Sequence, residues 1–270
     1  MHSLKAIIFD VDGTLANTEE IHRQSFNSAF DEFGLGYHWS EQEYTGLLSI
    51  SGGRERITAY LKARDFKVKG DFNLREFALR LHQRKSEIYR DNLLAGHVGL
   101  RSGVLRLITE AKQKGIKLGI ATATSKPNVE TLLRHNLGKD AMTLFDAVVT
   151  CDIVKDKKPS PAVYQFAIAE LGLTPGTCIA IEDTMNGNKA ARAAGLKTVI
   201  TTHAFTIDND FTGASLVINQ LGEPDQPFNV ISGKSYGARY VDVGLLKSIL
   251  NEAGHDTAEA WPDNVVVIAK

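Results

Sequence analysis

Two aspartates, Asp10 and Asp12, stand one residue apart directly behind the apolar run Ala6-Ile7-Ile8-Phe9, and Gly13 follows them. One carboxylate can attack phosphorus and carry the phosphoryl group as an acyl phosphate. A second, two residues on, can protonate the leaving oxygen and then take a proton from water. The glycine lets the backbone curl round an anion. Three other apolar runs end in residues that complete such a reaction. Thr122-Ala123-Thr124 follows the run ending at Ala121 and offers a hydroxyl and free N–H groups to phosphate oxygens. Taken singly, it is also an ordinary helix cap. Lys157-Lys158-Pro159-Ser160-Pro161 follows the run ending at Val149, and one of its lysines can neutralise the transferring group. Alone, it reads as a solvated basic turn. Glu182-Asp183 follows Ile179-Ala180-Ile181. Adjacent carboxylates at a strand end suit Mg²⁺, a hard cation that takes oxygen ligands, although an acidic pair also opens many helices. Phosphoryl transfer needs positioning, charge neutralisation and a bound metal, and the four segments together supply all three.

To converge, these segments must lie at the carboxyl ends of strands in one sheet. The apolar runs at 6–9, 118–121, 147–149, 179–181 and 198–200 are short and nearly continuous, as strands covered on both faces are. Helical periodicity fills the intervals at 104–114, 128–136, 162–171 and 186–194, and Gly115, Gly172 and Gly195 mark three helix ends. This alternation predicts an α/β fold with a doubly wound, Rossmann-like parallel sheet. The interval after the first strand breaks the pattern. From about Thr18 to Leu94 there are only helical segments, at 18–33, 53–67 and 73–89, with Trp39 and Phe66 as core residues. An inserted α-helical cap domain is expected at residues 17–95, with the core at 1–16 and 96–270 and a return linker from Gly96 to Gly103. Near the carboxyl end, 216–218 reads as a strand and 243–250 as a helix. The aperiodic stretch from Gly222 to Tyr240 reads as a long surface loop.

Composition narrows the partners. The 31 basic and 32 acidic residues leave a net charge of -1, which argues against a nucleic-acid or anionic-membrane partner. No apolar run approaches the roughly 18 residues that span a bilayer. The first residues run straight into a strand without a targeting pattern, so a cytoplasmic location is expected. Two cysteines, Cys151 and Cys178, make neither a disulfide framework nor a metal knuckle, and are expected to be reduced thiols. A monomer is expected.

The four segments, in order and over about Leu4 to Ile200, resemble the motifs of the haloacid dehalogenase superfamily of phosphotransferases. The helical insert matches that family's small α-helical cap. The resemblance implies Asp10 as nucleophile, Asp12 as acid and base, and Thr122 and Lys158 as phosphate-gripping residues. Lys158 is preferred to Lys157 because the family pattern is Lys-Pro-x-Pro. It implies Mg²⁺ held by Asp10, the Asp12 carbonyl and Asp183, with Glu182 assisting. It implies a closing cap that excludes water, hinged near Ala16-Asn17 and Gly96–Gly99.

A narrower similarity, to the CbbY branch, lies in Asp10–Arg23, Tyr44, Gly52-Gly53-Arg54-Glu55-Arg56-Ile57 and Thr124–Val129. That branch contains a xylulose-1,5-bisphosphate phosphatase, so the implied reaction gives xylulose 5-phosphate and inorganic phosphate. A doubly anionic substrate needs a second phosphate site in the cap. Gly52 and Gly53 offer N–H groups and Arg54 offers a planar fork, while Ala123, next to Thr122, is a substrate-binding candidate on the core side. Glu19, His22 and Tyr44 are candidates for sugar hydroxyls. Each cap residue also has a plain structural reading: Arg54 and Arg56 as a solvated helix face, His22 as an ordinary cap-helix residue, Tyr44 as cap core. The alternatives are a β-phosphoglucomutase-type phosphotransferase, a phosphoglycolate-type phosphatase and, from other classes, a phospho-acceptor domain or a sugar-phosphate-binding regulator. A phospho-acceptor domain lacks the Asp12 partner and the insert.

Overall fold

In strand β1 (Ala6–Phe9), Ile7 and Phe9 point into one apolar cluster and Ala6 and Ile8 into another. That alternation puts a helical layer on each side of the sheet. The computed structural model describes residues 3–68, 73–96 and 98–252. It pairs β1 with β2 (Lys117–Ala121) and β4 (Cys178–Glu182), and continues outward to β3 (Ala147–Val149) on one side. On the other side follow β5 (Lys197–Thr201), β6 (Leu216–Ile218) and β7 (Val230–Gly233). The order is β3-β2-β1-β4-β5-β6-β7, all parallel except β7. Because β1, β2, β3 and β4 run the same way side by side, whatever follows each of them emerges on one edge. This is the doubly wound sheet predicted from the sequence.

Helices numbered in chain order pack on the two faces. α5 (Val104–Gln113), α6 (Lys126–Leu137) and α9 (Val243–Asn251) join the cluster of Ile7 and Phe9. α7 (Ala162–Leu171) and α8 (Met185–Ala193) join that of Ala6 and Ile8. The helices α1 (Glu19–Glu32), α2 (Glu41–Leu47), α3 (Gly53–Lys62) and α4 (Leu74–Leu94) share a third cluster. Its centre is aromatic: Trp39 lies 4.7 Å from Phe26, 4.9 Å from Phe30 and 5.0 Å from Tyr60, centroid to centroid. Each such pair adds about 0.5–1.5 kcal/mol beyond area burial, so the insert has a core of its own.

The structure departs from the sequence expectations in four places. α3 stops at Lys62, because Asp65 turns left-handed at φ 49° and Phe66 folds back onto Phe77. α4 runs on to Leu94, secured at its start by a capping box between Asn73 and Glu76. α2 has no counterpart in the periodicity; it is seven residues long and opens at Ser40, whose hydroxyl accepts from Glu43 N at 3.1 Å. The stretch from Gly222 to Tyr240 is no plain loop, since it contains β7. Val230 and Ile231 are 45% and 49% exposed, so β7 has no buried face to announce it and is held by pairing with β6.

The chain leaves and re-enters the sheet at one place. Asp12 bridges Ala16, Ala16 bridges Leu100, and Arg101 N donates to Leu15 O at 2.9 Å. The Arg101 guanidinium then donates to the carbonyls of Gly13, Thr201, Thr202 and Asn219. In the expected return linker, His97 lies outside the described residues. No helix among the described residues is long and apolar enough to cross a membrane.

Candidate active site

β1 delivers Asp10 to the sheet edge with its N–H bonded to Ile181 O at 3.0 Å. The Asp10 side chain is buried, and Lys158 Nζ donates to its Oδ1 at 2.6 Å. Lys158 also donates to Glu182 Oε1, which accepts from Tyr164 OH at 2.6 Å. Glu182 Oε2 accepts from Asp183 N at 3.1 Å. Residues from β1, β4, α7 and the turn before α7 are thus tied into one network. Lys157, by contrast, turns to Glu55 in the insert.

Burial pushes the Asp10 carboxyl well above its usual range, with Lys158 opposing and Glu182 and Asp183 assisting. Burial likewise raises Asp183, against the bond from His203. Lys158 is buried too, but the attraction of Asp10 and Glu182 outweighs that cost and holds its ammonium charged. Asp10, Glu182 and Asp183 each place an oxygen within 4.8 Å of the others. Lys158 pairs with two of these three buried carboxylates, and the donors are all oxygens. That set fits a hard divalent cation. Gly13 matters to it: at φ 83° a Cβ would run into the Asp183 carboxylate and lie 2.7 Å from His203 Nε2.

Asp12 lies outside that cluster and has partners of its own. Its Oδ1 accepts from Thr18 Oγ1 at 2.7 Å and meets His22 Nε2 at 3.1 Å, and its Oδ2 accepts from Thr124 Oγ1. Burial disfavours its charge, but His22 and the bonds from Thr124 and Thr18 prevail and hold the carboxyl far below the usual range. Behind His22, the Lys85 ammonium meets Nδ1, and the imidazole stacks on Tyr89 at 4.0 Å. Burial pulls Lys85 down to about 7, against Asp12 and Glu19. The ring thus stands between Lys85 at Nδ1 and Asp12 at Nε2.

A cavity of about 410 Å³ separates the sheet edge from the insert. Asp10, Asp12, Thr122, Ala123 and Lys158 line it from the sheet; Glu19, His22, Gly52 and Gly53 line it from the insert. Glu182 and Asp183 lie behind this wall, and two of the expected substrate-binding residues do not line it either. Arg54 has a side chain 43% exposed and pairs with Glu55 at 3.0 Å, because its place on the first turn of α3 faces away. Tyr44 is buried in the aromatic cluster and reaches the site only through its hydroxyl, which donates to Glu19 Oε2 at 2.8 Å. Arg56, two residues on from Arg54, does line the cavity. It donates to Leu47 O at 3.0 Å, Ile50 O at 3.1 Å and Tyr44 OH at 3.1 Å, bracing the turn before Gly52. Lys157 and Lys85 add basic groups to the wall, and His82 adds an imidazole that burial pulls down to about 3. Of the residues given no role of their own in the sequence reading, Thr124 was visible inside its motif, and Tyr164 and His203 carried no local signal. Insert and sheet layer also meet through Asn186 Nδ2, which donates to Ser49 O at 3.0 Å.

The model of one family, haloacid dehalogenase-like hydrolase, matches residues 7–201. Protein CbbY (plasmid) of Cupriavidus necator is 41% identical over 246 residues, covering 91% of this chain and 96% of that protein. A crystal structure of an aspartate-to-asparagine variant of CbbY from Rhodobacter sphaeroides, in complex with xylulose 1,5-bisphosphate, superposes with a TM-score of 0.74 at 40% identity, covering 80% of this chain and 94% of that one. A β-phosphoglucomutase from Clostridium difficile, 22% identical with a TM-score of 0.66 over 80% of this chain and 91% of that one, shares the fold.

Proposed function

This chain belongs to the haloacid dehalogenase-like hydrolases and is a phosphatase of sugar phosphates, and on that premise we propose that it hydrolyses xylulose 1,5-bisphosphate to xylulose 5-phosphate with Mg²⁺. The observation that carries the reading is the composition of the cavity wall. Asp10, Asp12 and Lys158 form one side, and a second set of phosphate-compatible groups, Gly52, Gly53, Arg56 and Lys157, forms another. A substrate with one phosphate has use for the first set alone.

An Asp10 carboxylate oxygen attacks phosphorus, and the ester P–O bond breaks. The departing sugar oxygen takes a proton from Asp12, leaving an aspartyl phosphate on Asp10. Water then attacks that phosphorus while the Asp12 carboxylate takes its proton, and inorganic phosphate leaves with Asp10 restored. The contacts of Asp12 keep it ionised at rest, so it takes up the proton for the first step only with substrate bound. Lys158 holds Asp10 and offsets the charge of the phosphoryl group; Thr122 and Ala123 cradle its oxygens. Asp10, the Asp12 carbonyl and Asp183 would hold Mg²⁺, with Glu182 assisting, and the ion would supply charge neutralisation to the transferring group. Residues 17–95 act as a cap over the core formed by 1–16 and 96–270, and its closure excludes competing water. Glu19 and His22 meet the sugar hydroxyls.

The test is phosphate release with Mg²⁺ from xylulose 1,5-bisphosphate, ribulose 1,5-bisphosphate, β-glucose 1-phosphate, phosphoglycolate and fructose 1,6-bisphosphate. A selective signal on the first is expected, abolished by chelation and restored by Mg²⁺. Equal rates across the panel would remove the substrate assignment. Conversion of β-glucose 1-phosphate without net phosphate release would replace hydrolysis by a mutase reaction.

A further inference from the structure

His203 lies in the loop after β5, beside the sheet edge but outside the four motifs. Its Nε2 is 2.9 Å from Asp183 Oδ2, and its Nδ1 accepts from Phe205 N at 3.3 Å. A ring nitrogen that accepts a backbone N–H carries no proton, so Nε2–H is the donor to the carboxylate. On its other oxygen, Asp183 accepts from Thr14 Oγ1 at 3.1 Å. The carboxylate is therefore oriented by one donor on each oxygen. The His203 loop is a tight turn: Thr206 N and Ile207 N both donate to His203 O at 2.9 Å, and His203 N donates to Thr206 Oγ1 at 3.2 Å.

The same turn reaches the helical insert. Phe205, whose N–H holds His203, packs against the insert's aromatic cluster and meets Tyr44 edge-on at 5.8 Å. Tyr44 in turn joins Glu19 and Arg56, both on the cavity wall. One short turn therefore has Asp183 at one end and the insert at the other.

We infer that His203 is a positioning residue for the cation carboxylate Asp183, and that Phe205 couples this positioning to the seating of the insert. Groups that hydrogen-bond a metal-ligating side chain set its orientation, and losing one typically lowers metal affinity by about 10- to 100-fold. By linkage, seating the insert raises cation affinity, and the cation favours the seated insert by the same factor. The inference rests on the Mg²⁺ reading above and adds to it a residue that no motif contains.

The experiment is calorimetric titration of Mg²⁺ into the substrate-free protein, wild type and variants, with circular dichroism as a check on folding. His203→Ala is expected to raise the Mg²⁺ Kd at least about tenfold. His203→Gln, which keeps an N–H donor of similar reach, is expected to recover most of that loss. Phe205→Ala is expected to raise the Kd by a smaller factor. An unchanged Kd in His203→Ala would overturn the positioning role, and an unchanged Kd in Phe205→Ala would overturn the coupling. If His203→Ala does not fold, His203→Asn replaces it: its amide is too short to reach, so a Kd equal to wild type overturns the role in the same way. Absence of Mg²⁺ binding by the wild type would instead remove the metal reading.

Discussion

Around Asp10, side chains hold side chains; at the turn before Gly52, a side chain holds backbone. Lys158 joins Asp10 to Glu182, and Tyr164 joins Glu182 in turn. In the insert, Arg56 is fixed by the carbonyls of Leu47 and Ile50, and the turn it braces presents glycines to the cavity. Deleting a member of a side-chain network leaves a buried partner unpaired, whereas an isosteric change can alter its chemistry and spare the pairing. A wall of backbone and glycine is changed mainly by what sits around it. The first design keeps one chemistry constant, and the second lets the accepted substrate vary beneath it.

The sharpest way to break this contrast is at Asp10. Asp10→Asn keeps size and shape and leaves Lys158 paired with Glu182, so turnover is expected to fall on the order of 10⁴-fold or more while the melting curve stays near wild type. Steady-state phosphate release beside a thermal melt checks both halves. Asp12→Asn comes next, with kcat lower by about 10²- to 10⁴-fold on every substrate alike; a loss confined to one substrate would move Asp12 to the specificity side. Arg56→Ala is expected to lower kcat/KM on the bisphosphate by roughly 10- to 100-fold, as for a lost charged hydrogen bond of about 1.5–3 kcal/mol. Its effect on a small non-specific ester is expected to be several-fold weaker. Arg54→Ala, its outward neighbour, is expected to change neither by more than about twofold. A reversed order for these two arginines would sink the assignment of the cavity wall.

The smallest expected effect is on stability. Burial depresses Lys85 to about 7, against about 10.4 in an unfolded chain. Between those values the unfolded state binds a proton that the folded state lacks, so this residue's contribution makes stability rise with pH from about 7 toward 10. Lys85→Met removes that slope and is expected to raise the melting temperature most near pH 7. The difference between wild-type and variant melts across pH 7–10 isolates it. A difference that stays flat over that window would show Lys85 to be charged at no cost.

The same contrast decides what could be read from the chain. Asp10, Asp12, Thr122 and Lys158 were legible because each sits in the first residues after a strand or in the turn that follows one, and parallel strands bring such positions together. The sheet order needed only the alternation of apolar runs and helices. Arg54 and Arg56 are both plausible phosphate ligands in a sequence, and only the rotation of α3 separates them. β7 was hidden because none of its residues is buried. His203 was hidden because it meets Asp183 across 20 residues of chain, and no spacing rule covers such a contact.

The ribbon through which the insert is attached has a mechanical meaning. Two connecting segments joined by the bridge between Ala16 and Leu100, with Arg101 donating to four carbonyls at their base, resist twisting better than two separate tethers would. An insert carried this way would, as the proposed cap, tilt more readily than it swivels. Closure on the proposed cap reading would follow one arc and bring Glu19, Gly52 and Arg56 back over Asp10 in one register.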